Sequence, residues 1–217
     1  MERVIRHRAR QGRPAALALA AGLCVLVGAS AAPEGREVAQ LRPGALRELA
    51  TGKVLIASRA LGDPNFVQTV VLLADHNEQG SMGVVINRRS EIPVSSVFPH
   101  LARTWKAAIF IGGPVAPTGI LALLRASTPP PDSRPVVADL HVITTREPLE
   151  TLVRQGPGLT HFRLYAGYAG WGPGQLERET AQGAWHVLSA DPAIAFDSDP
   201  PTLWDREIRR TEARLAD

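Results

Sequence analysis

The densest run of side chains able to do chemistry is Asp75-His76-Asn77-Glu78, with Ser81 three residues further on. Imidazole and carboxylate are ordinary ligands of zinc or manganese, and an imidazole beside a serine and a carboxylate can serve as a general base in hydrolysis. Spacing argues against a metal. Adjacent residues cannot all face one ion, and the histidines at 100, 141, 161 and 186 form neither an HExxH pair nor another paired spacing, so no metal and no cofactor is implied. Ser81 lies in "GSMG", outside the GxSxG frame, and a triad of Ser81, His76 and Asp75 would have no signature, since triads assemble from separated segments. The plainer reading of the cluster is a solvated hairpin turn.

A second candidate is the segment "YAGYAGWGPGQLERET", residues 165–180. The N–H groups of Gly170, Gly172 and Gly174, at the start of a helix opening at Gln175, could cradle an anion. Three details oppose this. Pro173 removes one N–H, no Lys-Ser/Thr follows, and Glu177 and Glu179 bring negative charge to the helix start. The glycines then read as architecture that lets Trp171 tuck inward and Gln175 bond to a neighbouring loop. On this reading Gly172 occupies angles open to glycine, and Gly172→Val is expected to destabilise the domain. With the "IGGPV" turn opposite, the candidates for a ligand cleft are Gly112, Gly113, Pro114, Gly170, Trp171, Gly172, Gly174 and Gln175.

Short apolar runs must position these residues. "KVLIAS" and "VQTVVLLAD" read as strands joined by the "RALGDPNF" loop, and "HNEQGS" turns the second into "MGVVINR" as an antiparallel hairpin. A short helix is expected near 94–101. "AAIFIGG", "GILALLRA" and "VVADLHVIT" read as three more strands, the last two separated by the proline-rich "STPPPDSRP". "REPLETLVRQ" is an amphipathic helix stopped by Gly156, "HFRLYAGY" a strand, "QLERETAQ" a helix ending at Gly183, "AWHVLSA" a last strand and "LWDREIRRTEARLA" a terminal helix. Strands outnumber helices and do not alternate with them, which predicts an α+β domain.

The first 31 residues differ from the rest. Five arginines and one glutamate precede an uncharged run from Ala15 to Ala32, and Ala29-Ser30-Ala31 offers a signal-peptidase site, so a signal peptide or N-terminal anchor is expected over 1–31. Residues 32–51 then form a linker and 52–217 the folded domain. Without the leader the balance of 24 basic to 21 acidic residues becomes 19 to 20, so the basic pI near 9.6 says nothing of a nucleic-acid surface on the domain. The single cysteine, Cys24, also lies in the leader, which leaves the domain without a thiol.

Together "GKVLIAS", "DPNF", "HNEQGSMGVVINR", "IGGPV", "GYAGWGPGQLERE", "GAW", Phe196-Asp197 and Trp204 resemble the YqgE/AlgH family from about Gly52 to about Arg210. The resemblance implies a compact α+β single domain with a mixed, barrel-like β-sheet flanked by helices. It also implies a cytosolic bacterial protein, often labelled a transcriptional regulator, with no agreed reaction. Ser58-Arg59, Ala74 and Arg89 depart from the threonine-proline, cysteine and proline common in the family, so no thiol role carries over.

The expected function is a non-enzymatic binding or regulatory domain that acts through a small molecule or a protein partner. One alternative is a hydrolase using His76 and nearby carboxylates; another is a direct DNA-binding regulator. The second is disfavoured because Arg206, Arg209 and Arg210 are interleaved with Asp205, Glu207 and Glu212 and no DNA-binding motif is evident. Export or membrane association rests on residues 1–31 alone, against the cytosolic location that the family implies.

Overall fold

A computed structural model describes residues 49–101, 105, 107–156 and 161–216. The leader expected over 1–31 and most of the linker lie outside the described residues. Continuous apolar runs build the first three strands, β1 (Lys53–Ala57), β2 (Val70–Asn77) and β3 (Gly80–Val85), as an antiparallel meander. Val54 to Ala57 and Val70 to Leu73 are completely buried. The β2–β3 turn needs only Glu78 and Gln79, because Asn77 pairs with Gly80 and His76 with Ser81. The polar cluster expected in a turn is therefore mostly strand.

The sheet continues through β4 (Arg89–Pro93), β5 (Ala108–Ile111), β6 (Val115–Arg125), β7 (Arg134–Val137), β8 (Leu140–Ile143), β9 (Phe162–Trp171) and β10 (Trp185–Ser189). Helices α1 (Val94–Val97), α2 (Arg146–Gln155), α3 (Gln175–Ala181) and α4 (Pro200–Ala216) flank it, with a 3-10 turn at Pro192–Phe196. The strand order is β10-β1-β2-β3-β9-β6-β8-β7, with β5 added to β9 and β4 to β5. All pairings are antiparallel except β5 with β9, which makes the sheet mixed. It also curls. Though β7 is the edge strand remote from β2, Arg134 reaches Asp75 at 3.4 Å, and Val136 packs beside Gly52. The α+β, barrel-like single domain expected from the sequence is the fold observed.

Side-chain alternation makes two cores. Leu121 and Leu123 of β6 and Tyr165 of β9 enter the larger one, inside the curl, while Ala122, Leu124, Phe162 and Leu164 face the smaller one under α1 and α2. Helix α2 supplies Leu149, Leu152 and Val153 to the second core and stops at Gly156, whose φ is 69°. Helix α4 closes the first with Leu203, Trp204 and Ile208, and the Trp204 indole donates to the carbonyl of Ala57 at 2.8 Å.

Strand β9 organises the domain because its partners change along its length. One edge pairs with β6 from Phe162 to Tyr168; the other pairs with β5 at Tyr165 and Ala166 and then with β3 at Ala169 to Trp171. Gly167, with φ 69°, sits at the change of partner. Gly112 bridges there, its carbonyl accepting from Val85 N–H and its N–H donating to Ala166, each at 2.8 Å. A Cβ on Gly112 or Gly113 would collide with the backbone of Gly167 or Tyr168, so glycine is required for this crossing.

Three expectations are corrected. "VVADLHVIT" is a hairpin, β7 and β8, turning at Ala138 (φ 49°) and Asp139. Strand β4 was not expected, since "RSEIP" is polar, short and ends in proline. Strand β9 runs on through Gly170 and Trp171, where a turn was expected.

Candidate functional site

Strand alternation splits the polar cluster. Asp75 turns toward Arg134, 3.4 Å away, while His76 turns the other way. There its Nδ1 is 2.7 Å from Ser81 Oγ and its Nε2 is 3.8 Å from Glu177 Oε1 on α3. Asn77 caps the hairpin by accepting from Gln79 N–H at 2.8 Å, and Glu78 is exposed. Successive residues thus point apart, and among the described residues no three His, Cys, Asp or Glu groups converge on a metal-sized point. The carboxylate facing His76 is Glu177, not Asp75. The sequence reading missed it because the two residues lie on separate elements, 101 positions apart.

The glycine-rich segment is tied into the core. Trp171 is 5% exposed and packs against Phe66 and Trp185, with ring centroids 5.8 and 5.9 Å away. Glu179 Oε2 accepts from both indoles, Trp171 at 2.9 Å and Trp185 at 2.8 Å, while Gln175 donates to Oε1 at 2.9 Å. Gln175 Oε1 takes the Gly172 N–H at 3.1 Å, so a donor of the imagined anion cradle is already occupied. Gly174 is left-handed at φ 68°, but Gly172 is not, and a Cβ there would meet only Gln175 Oε1 at 3.9 Å. The expectation that Gly172 holds glycine-only angles is therefore wrong; the constraint lies at Gly174 and at the Gly112–Gly113 crossing. Pro114 is exposed just beyond that crossing.

The motif residues around β3 brace a loop. Asn87 accepts from Val70 N–H at 2.9 Å and donates to Gln68, and Arg88 donates to the carbonyls of Asn65 and Val67 at 2.7 and 3.1 Å. "DPNF" and "INR" are thus two halves of one hydrogen-bonded unit. Burial lowers the Arg88 pKa despite nearby Asp63.

The candidate cleft residues do not line either of two cavities. The first, about 230 Å³, opens between β4, β5, β9 and the start of α4. Its apolar lining residues include Val94, Trp105, Phe110, Phe162 and Leu164, and its polar ones are Arg89, Arg163 and Ser198. Trp105 and Phe162 stack with centroids 5.9 Å apart. The Arg163 guanidinium sits 4.7 Å above the Phe110 ring and donates to the carbonyls of Ala195, at 3.1 Å, and Asp197. Beneath it Tyr165 is fully buried, and this burial raises its hydroxyl pKa beyond the usual range. The second cavity, about 300 Å³, lies against α1 and α2, with Val97, Phe98, Ile120 and Leu149 as apolar walls and Arg146 among its polar residues. Arg146 pairs with Glu150 at 2.6 Å.

The first cavity was missed because five separate segments build it and none carries a motif. An arginine alternating into an apolar strand at 163 was the only sequence signal.

The terminal arginines find local partners. Arg206 pairs with Asp197, and Arg210 lies 3.8 Å from Glu207. Among the described residues no helix is long and apolar enough to cross a membrane.

The sequence matches the AlgH-like protein family over residues 54–216. A UPF0301 protein of Streptomyces avermitilis is 38% identical over 174 residues, covering 76% of this chain and 89% of its own. One from Thioalkalivibrio sulfidiphilus is 37% identical over 172 residues, covering 76% and 91%. The solution structure of AlgH from Pseudomonas aeruginosa superposes with a TM-score of 0.63 at 34% identity, covering 75% of this chain and 88% of that one. The match spans the curled sheet, the glycine crossing and the Trp171 anchor, and it leaves the molecular function open. This chain belongs to the AlgH-like family.

Proposed function

We propose that the domain is a non-enzymatic binding module that takes a small molecule in the cavity of Arg89, Trp105, Phe162 and Arg163 and presents its occupied state to a protein partner. The observation that carries this reading is the makeup of that cavity: aromatic residues and two arginines, with no acidic residue and no histidine among the described lining residues. Such a lining suits apolar contact with a few orienting polar groups, as in binding sites generally. It does not supply a general base. Native mass spectrometry of the purified protein tests the reading. A retained small molecule that is lost in the cavity-filling variant Ala108→Trp supports it; a mass unchanged by denaturation in repeated preparations contradicts it.

A hydrolase is the second reading, favoured by the 2.7 Å contact between His76 and Ser81 with Glu177 behind the ring. The ring is reversed relative to serine hydrolases, in which Nε2 faces the nucleophile and Nδ1 the acid. A cross-strand hydrogen bond explains the pair without chemistry. Labelling of Ser81 by a fluorophosphonate, abolished in His76→Ala, would promote this reading to first place.

Direct reading of duplex DNA is not part of the proposal. Arg88, Arg206 and Arg210 are engaged by carbonyls or carboxylates, and DNA affinity needs clustered cations free to displace counterions. Sequence-selective, sub-micromolar binding near physiological salt would contradict this. The reading also takes the domain to be exported through residues 1–31, and N-terminal sequencing that finds Met1 instead of Ala32 would overturn that part.

A further inference from the structure

We infer that the ligand of the first cavity is a small aromatic oxyanion, a single planar ring bearing a carboxylate or phosphate group. The inference rests on the binding reading above and deepens it. Charge comes first. Arg89 and Arg163 both line the cavity, and among the described residues none of the lining is acidic and no carboxylate forms an ion pair with either arginine. Asp197, beside the lining residue Ser198, is turned away and held by Arg206. The cavity therefore holds positive charge that the protein does not neutralise, and an anion gains from entering it.

Geometry then narrows the anion. A guanidinium has five N–H donors in a planar fork that matches the oxygens of carboxylate and phosphate. The carbonyls of Ala195 and Asp197 engage Arg163 where its guanidinium lies over the Phe110 and Phe196 rings, which fixes the position of this cation beside the cavity. Arg89 stands at the exposed mouth, its backbone paired with Phe110, so both cations flank one aromatic wall. Trp105 and Phe162, on the other face of the sheet, add a stacked pair to the lining. Flat apolar surfaces favour a planar ring, which can stack offset or edge-to-face against them. At about 230 Å³ the cavity falls below the range of drug-sized sites and fits one ring with one charged head.

Isothermal titration of the full-length protein with four probes tests the class: benzoate, phenyl phosphate, benzamide and inorganic phosphate. Benzoate or phenyl phosphate should bind at least ten-fold more tightly than benzamide, which lacks the charge, and than inorganic phosphate, which lacks the ring. The tighter of the first two identifies the head group. Arg163→Gln should abolish the preference, but it also removes bonds to Ala195 and Asp197 and could disturb folding. Arg89→Gln, at the exposed mouth, should weaken the charged ring at least five-fold, leave benzamide unchanged and preserve the melting temperature.

Equal affinity for benzamide, or no effect of Arg89→Gln, overturns the proposal. If no probe binds while native mass spectrometry still finds a molecule displaced by Ala108→Trp, the aromatic-oxyanion class falls and the binding reading stands. If neither is seen, both fall.

Discussion

Glu179 Oε2 lies 2.9 Å from Nε1 of Trp171, eight residues back along the chain, and this bond fastens the glycine-rich segment to the core. The same oxygen accepts from Trp185 on β10, so one carboxylate joins β9, α3 and β10. Charge-assisted bonds of this kind are among the stronger ones, and the cost of losing them falls on two indole N–H groups set among buried rings.

Glu179→Ala should therefore destabilise the domain by about 2–4 kcal/mol, because it leaves both indole donors without their acceptor. Glu179→Gln, which keeps an acceptor oxygen but not the charge, should cost about 1 kcal/mol. Urea unfolding monitored by tryptophan fluorescence reads both. Equal stability of Glu179→Ala and the wild type would mean that the carboxylate is not the anchor.

Gly113 and Gly172 should respond oppositely to alanine. At Gly113 the φ is 152° and a Cβ would fall within the backbone of Tyr168, so Gly113→Ala should cost on the order of 3 kcal/mol or prevent folding. At Gly172 a Cβ would make only an ordinary contact with Gln175 Oε1 at 3.9 Å and the angle is not left-handed, so Gly172→Ala should lie within about 0.5 kcal/mol of wild type. Thermal melts of the pair decide. Similar losses in both would contradict the placement of the constraint at the crossing.

Acid should destabilise the domain in two stages. Burial depresses the His186 pKa despite nearby Glu212, so the unfolded chain takes up that proton first, and stability falls as pH drops below the ordinary imidazole value of 6.5. The carboxyls of Asp139 and Glu212 are held below their usual values by hydrogen bonds from Arg125 and Arg59. Their contribution is complete above the ordinary carboxylate range and is lost as pH falls through it to the lower folded values. Melting temperature against pH should show both limbs, and His186→Gln should flatten the upper one while sparing the lower. An upper limb unchanged in that variant would assign it elsewhere.

Apolar runs made most strands legible, since a buried strand must be continuous in Val, Leu and Ile whatever its partners. "RSEIP" and "RPVV" escaped because short strands with proline and charge resemble loops in composition. The glycines were legible as architecture, yet Gly172 was misjudged, because sequence does not tell a glycine at a special angle from one at an ordinary angle. Ser81, Glu177 and Arg163 gain meaning only from pairing and curl. His76 meets Glu177 because β3 pairs with β9 and α3 follows directly after it. Arg163 becomes part of a cavity because α4 begins beside it.

The central claim is that this cavity, and not the glycine turns or the His76 pair, is where the domain meets its ligand. Backbone amide shifts recorded by NMR while a bound molecule is titrated in give the most direct test. The account predicts that the largest changes fall at Arg89, Ala108, Phe162, Arg163 and Ser198. Changes centred instead on Gly112 to Pro114 and Gly170 to Gln175, or on His76 and Ser81, would contradict it.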